Sequence, residues 1–98
     1  MLKTINNDYE FANEFIEANR DYFSNLGYQT LFNYLEEINP NYELDVIEIV
    51  SEFTEYETFE EVQADYDVAS LDELKDLTTV LEVTDYKGTL QSIIIAVF

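Results

Sequence analysis

The chain is 98 residues long and carries 22 Asp or Glu against 4 Lys or Arg, a formal charge of −18 with no histidine. That length is one domain's worth, spanning residues 1–98, and 47% hydrophobic with 15% aromatic residues is far too apolar for a disordered acidic tail. Without cysteine there is no disulfide, thiolate nucleophile or Cys-ligated metal, and without histidine the commonest general base and transition-metal ligand is missing.

In chain order, Asn7 followed by Glu10 marks a helix start, the amide side chain capping and the acid in the first turn. Phe11, Phe15, Ile16, Tyr22 and Phe23 then recur at helical spacing as one apolar stripe, and Gly27 is placed to end the helix in a left-handed conformation. A second helix is predicted to carry Leu31, Phe32, Leu35 and Ile38 inward until Pro40 stops it, completing an αα-hairpin. Residues 43–53 fit two patterns: Val46, Val50 and Phe53 suit a helix, Ile47, Ile49 and Phe53 one face of a strand. Their β-branched content favours the strand. Thr58 with Glu61 and Ser70 with Glu73 both match a capping box and predict short helices over 59–66 and 71–76. Residues 79–84 and 90–98 flank the turn 85–88, with Gly88 where positive φ is wanted. The run from Ile93 through Val97 is apolar on both faces, which places that strand centrally and covered on both sides. The expected class is α+β: a small antiparallel sheet of about three strands, with the N-terminal αα-hairpin and short helices packed against it.

Catalysis is weakly supported. Neighbouring acids such as Glu36–Glu37 and Glu60–Glu61 are unavoidable in so acidic a chain, and no acidic stretch contains the glycine of an EF-hand loop, so neither an enzyme nor a metal or cofactor site is expected. Four scattered cations cannot follow a phosphate backbone, which argues against direct nucleic-acid binding, and an anionic membrane would repel the chain. Residues 1–7 lack an apolar signal core and no run approaches 18 apolar residues, so the expected location is the cytoplasm.

The informative feature is where the acid lies. Residues 43–76 hold thirteen carboxylates with Lys75 as their sole cation, and Glu57, Glu61 and Asp65 would stack at i, i+4, i+8 on a helix. Like charges there repel, so added salt should raise the melting temperature. A plain reading is a well-hydrated surface. A sharper one is nucleic-acid mimicry: 18 charges at one per about 1.7 Å match about 31 Å of duplex, close to the roughly 30 Å diameter of a domain this size. The candidate partner-binding residues are Glu52, Glu55, Tyr56, Glu57, Glu60, Glu61, Asp65, Tyr66, Asp67, Asp72 and Glu73, the tyrosines as anchors and the acids as phosphate surrogates. Reversing Glu57, Glu60, Glu61 and Asp65 to Lys should weaken binding while the fold survives.

Several stretches, Leu31–Glu37 (LFNYLEE), Glu43–Ile47 (ELDVI), Glu52–Glu57 (EFTEYE), Phe59–Glu61 (FEE) and Thr78–Glu82 (TTVLE) before the terminal isoleucines, resemble small acidic proteins of phages and other mobile elements. The resemblance covers about residues 28–98 and brings no active site with it. By analogy of class, it implies an anti-CRISPR or anti-restriction inhibitor acting in the host cytoplasm. Such a protein would be a non-enzymatic DNA mimic, monomer or homodimer, that occludes the basic nucleic-acid-binding site of a CRISPR effector or restriction enzyme. The alternative is an acidic adaptor or regulatory module that binds another protein without mimicking DNA.

Overall fold

The computed structural model describes residues 5–98; residues 1–4, part of the stretch read as lacking a signal core, lie outside the described residues. Helix α1 (Asp8–Glu17) starts where expected, the Asn7 side chain accepting the Glu10 N–H at 2.8 Å and the Glu10 carboxylate accepting the Asn6 N–H at 2.7 Å. It does not run on to Gly27. Asn19 takes the left-handed conformation instead (φ 61°), its N–H bonding Ile16 O at 3.1 Å while the Arg20 N–H bonds Phe15 O at 2.8 Å. These two bonds make a Schellman turn, and Asn is the residue besides Gly that tolerates its αL position. With the helix ended there, Ile16 and Tyr22 are exposed, contrary to the single stripe, and Phe23 is buried from the connecting loop.

Helix α2 (Asn25–Ile38) opens on Ser24, whose Oγ accepts the Gly27 N–H at 2.9 Å, so Gly27 sits in the first turn of a helix and not at the end of one. Leu31 and Leu35 are buried and Phe32 partly so, but Ile38, expected inward, is exposed on the last residue before the Asn39–Pro40 stop.

The strand expected over 43–53 is mostly a helix, α3 (Val46–Glu52), and only Phe53 belongs to a strand. Asp45 accounts for the difference: its side chain accepts the Glu48 N–H at 3.2 Å, and the helix then turns Val46, Ile49 and Val50 into the core while Ile47 faces out. A cap and a helical contact set override β-branched propensity, which spans only about 1 kcal/mol.

Strand β1 (Phe53–Tyr56), helices α4 (Phe59–Asp65) and α5 (Leu71–Leu77), and strands β2 (Val80–Thr84) and β3 (Leu90–Ala96) complete the α+β fold. Both short helices stand where their capping residues predict. The sheet is antiparallel in the order β1-β3-β2, so the isoleucine-rich β3 is central, as its two-faced apolarity requires. In the connecting turn Gly88 has φ 83°, and one Asp85 oxygen accepts the Lys87 and Thr89 N–H groups at 2.9 and 3.0 Å.

Successive β3 side chains divide the interior in two. Ile94 joins Phe11, Phe15, Tyr28, Leu31, Ile49 and Val83 under α1, α2 and α3, whereas Ile93 and Ile95 join Val62, Val68 and Leu74 under α4 and α5. The first core is aromatic, with Phe11–Phe15 and Phe15–Tyr28 ring centroids 5.0 and 5.2 Å apart. The second is smaller and aliphatic. Its margin carries Tyr66, stacked on Phe98 at 4.3 Å; β3 stops at Ala96, so Val97 and Phe98 leave the expected strand and are exposed. The described residues measure 41 × 30 × 25 Å, and no helix among them is long and apolar enough to cross a membrane.

Candidate acidic interaction surface

The layer formed by α4, α5 and their connections, residues 57–77, holds eight carboxylates with Lys75 as its only cation. Lys75 itself stands 3.7 Å from Glu82 on β2, a solvent-exposed pair of little energetic weight.

Within this layer the acids divide into two kinds. Glu57, Glu60, Asp67, Asp72 and Asp76 are exposed, on the two helices and in the loops. Glu61, Asp65 and Glu73 are also exposed but are held by the fold. Glu61 accepts the Glu57 N–H at 3.0 Å and donates its own N–H to Thr58 Oγ1 at 3.3 Å; Glu73 likewise accepts the Ala69 N–H and donates to Ser70 Oγ, both at 3.1 Å. Each carboxylate thus satisfies an N–H one residue before the cap, as Glu10 does in α1. Asp65 accepts the Tyr56 hydroxyl at 2.7 Å. The expected i, i+4, i+8 stripe is therefore only partly helical: Glu57 precedes α4, and two of the three acids are tied down. Reversal of Glu61 and Asp65 would remove the acceptor of the Glu57 N–H, half of the α4 capping box, and strand the Tyr56 hydroxyl, so these two do not belong in a fold-neutral charge reversal.

The remaining candidates separate. Tyr56 is half-buried on the aliphatic core, and burial followed by the Asp65 hydrogen bond pushes its hydroxyl well above the ordinary tyrosine range. Tyr66 is likewise half-buried. Glu52 ends α3 in the other layer; its side chain is exposed and its carbonyl accepts the Val97 N–H at 2.7 Å. Glu55 is tied back onto the fold. It lies on the α2 side of the sheet and accepts the Ser24 N–H at 2.7 Å, the Ser24 hydroxyl at 2.6 Å and the Ser92 hydroxyl. This carboxylate ties β1 to the central strand and to the N-terminus of α2, where a negative charge also meets the helix dipole favourably. Gly27 makes room for it: a Cβ there would fall 2.5 Å from Glu55 Oε1. A glycine inside a helix, otherwise about 1 kcal/mol worse than alanine, is the one sequence signal of that close approach.

Two further tyrosines repeat the Tyr56–Asp65 arrangement. Tyr28 donates to Asp21 at 2.7 Å and Tyr42 to Glu48 at 3.0 Å; burial and then the carboxylate push the Tyr42 hydroxyl up to about 12 and Tyr28 higher still. In a chain with four cations, phenolic hydroxyls serve as donors to carboxylates.

Away from the acidic layer, a cavity of about 310 Å³ opens between the end of α2, α3 and the sheet, lined by Tyr34, Ile38, Tyr42, Glu52, Phe53 and Ala96 among others. No family model matches the chain, and no curated protein or solved structure is found to be similar to it.

Proposed function

We propose that this chain is a non-enzymatic inhibitor, encoded by a phage or other mobile element, that acts in the host cytoplasm. On this reading it mimics DNA and occludes the basic nucleic-acid-binding site of a host defence complex, a CRISPR effector before a restriction enzyme. One observation carries the reading: eight carboxylates on 21 residues with a single lysine, mounted on two capped helices and their connections over a sheet. A flexible acidic tail would have to order itself on binding, at a conformational cost this frame avoids. The overall match of −18 charges to about 31 Å of duplex, against a body of 41 × 30 × 25 Å, supports the same reading.

Competition tests it. With a candidate effector, target DNA and this protein should exclude one another, and simultaneous binding without mutual effect would rule out occlusion. Replacing Glu57, Glu60, Asp67 and Asp72 by Lys should cut the association rate by about 10²–10³-fold in a salt-sensitive manner. Reversing Glu10, Glu14 and Glu17 should cost far less; equal losses would mean that total charge, not this layer, drives binding. The apolar cavity beside Ile38 favours a second reading, an acidic adaptor that binds a protein without mimicry. In that case Ile38→Asp would abolish binding while the four lysines leave it largely intact.

A further inference from the structure

We infer that the cavity between the end of α2, α3 and the sheet receives an arginine side chain presented by a protein partner. This site lies apart from the α4–α5 layer and does not depend on DNA mimicry there. Glu48 and Glu52 stand four residues apart on α3, so their carboxylates share one face of the helix, a turn from each other, and both residues line the cavity. From α2 come Tyr34 and Ile38, also four residues apart. Ile49 and Phe53, both buried, line it as well, and the rings of Tyr34 and Phe53 meet edge to face with centroids 6.3 Å apart.

Size and lining suit one long cationic side chain. Small-ligand sites run from about 300 to about 1,000 Å³, so a cavity of about 310 Å³ takes a single side chain and not a folded segment. Its aliphatic and aromatic lining can cover a methylene stem, and the rings of Tyr34, Tyr42 and Phe53 attract a cationic head. Carboxylates at i, i+4 repel each other, and a cation between them relieves that repulsion. Glu48 has acceptor sites to spare, because the Tyr42 hydroxyl, at 3.0 Å, takes only one of them. No Lys or Arg among the described residues lines the cavity: Arg20 donates to Asn19 O at 3.2 Å, Lys75 stands beside Glu82, and Lys87 lies over the Tyr86 ring.

Among cations, arginine fits best. Its guanidinium is planar and weakly hydrated, stacks on rings and bonds carboxylates through a fork of N–H donors, whereas the ammonium of lysine is compact and strongly hydrated. A metal ion is poorly served. Calcium takes about six to eight oxygen ligands, and no group of three or more acidic residues among the described ones is arranged to hold a metal.

Amide NMR of the isotope-labelled full chain tests this directly, with Nα-acetyl-arginine amide as the probe at low salt. The probe should give saturable shifts centred on residues 34–39 and 48–53, with a Kd of about 1 mM. The corresponding lysine amide should bind more weakly, and the uncharged citrulline amide should give no saturable shift. Glu52→Gln keeps the main-chain bond to Val97 and should weaken binding at least about tenfold, with an otherwise unchanged spectrum. Glu57→Gln in the acidic layer should leave binding as it is. No saturation up to tens of millimolar, shifts spread evenly over the acidic residues, equal binding by the lysine or citrulline amide, or an unaffected Glu52→Gln variant would each overturn the inference. No partner protein enters the titration, so its failure leaves the occlusion reading standing, and failure of the DNA competition leaves this site standing.

Discussion

The two helical layers on either face of the sheet solve the acidity of this chain in opposite ways. Residues 5–52 carry eleven carboxylates on 48 positions over a core of interlocked rings, and Asp21 and Glu48 there each accept a tyrosine hydroxyl. Residues 57–77 carry eight on 21 positions over five buried aliphatic residues, two of them from β3, and five of those acids stand exposed on the helices and loops without a role in capping. One layer holds the molecule together. The other tolerates self-repulsion on a minimal core, as the proposed cationic partner would require.

The comparison breaks most readily in the cores. Phe15→Ala should cost about 3–5 kcal/mol, against about 2 kcal/mol for Val62→Ala in the smaller core, both read from urea unfolding. Equal costs would mean that the two layers are not energetically distinct.

Neighbouring acids on β1 and after it sharpen the contrast. Glu55→Ala leaves Ser24 and Ser92 donors without their acceptor and should lose about 2 kcal/mol, whereas Glu57→Ala, two residues further on, should fall within about 0.5 kcal/mol of neutral. Gly27→Ala should destabilise the wild type by displacing the Glu55 carboxylate, yet stabilise the Glu55→Ala background by up to about 1 kcal/mol through helix propensity. A Gly27→Ala effect of the same sign in both backgrounds would remove Glu55 as the reason for the glycine.

High pH probes the tyrosine–carboxylate pairs of the aromatic layer. The Tyr42 hydroxyl is raised from 10.0 to about 12, so the folded state holds its proton where the unfolded chain has lost it. Its contribution is complete below pH 10.0 and is lost as pH climbs to about 12, because deprotonation leaves a partly buried phenolate, and one set against Glu48. Tyr42→Phe should flatten that part of the stability profile, measured by denaturant unfolding at successive pH values. An unchanged profile would show that the Glu48 hydrogen bond does not hold the proton.

Salt gives the smallest effect. Screening should raise the melting temperature by a few degrees, and the four-lysine variant of the α4–α5 layer should lose most of that rise. A melting temperature that falls steadily with NaCl would mean that repulsion is not significant.

What could be read from the sequence alone was whatever rests on contacts between near neighbours in the chain. Asn7 with Glu10, Thr58 with Glu61 and Ser70 with Glu73 each satisfy helix-start N–H groups within four residues, so three helix starts were legible. The Asp85–Gly88 turn closes on itself in the same way, and an isoleucine run apolar on both faces could only be a covered, central strand. Residues 46–52, by contrast, had two admissible periods, and the packing of Val46, Ile49 and Val50 against distant elements, together with the Asp45 cap, decided between them. The inward turn of Glu55 depends on Ser24 and Ser92, 31 and 37 residues away, and the place of Gly27 depends on Glu55. A carboxylate carries the same charge whether it meets water or a buried hydroxyl, so the pattern of acids could locate the acidic stretch but not tell its structural members from its exposed ones. Only the chain's return on itself brings the donors that make that distinction.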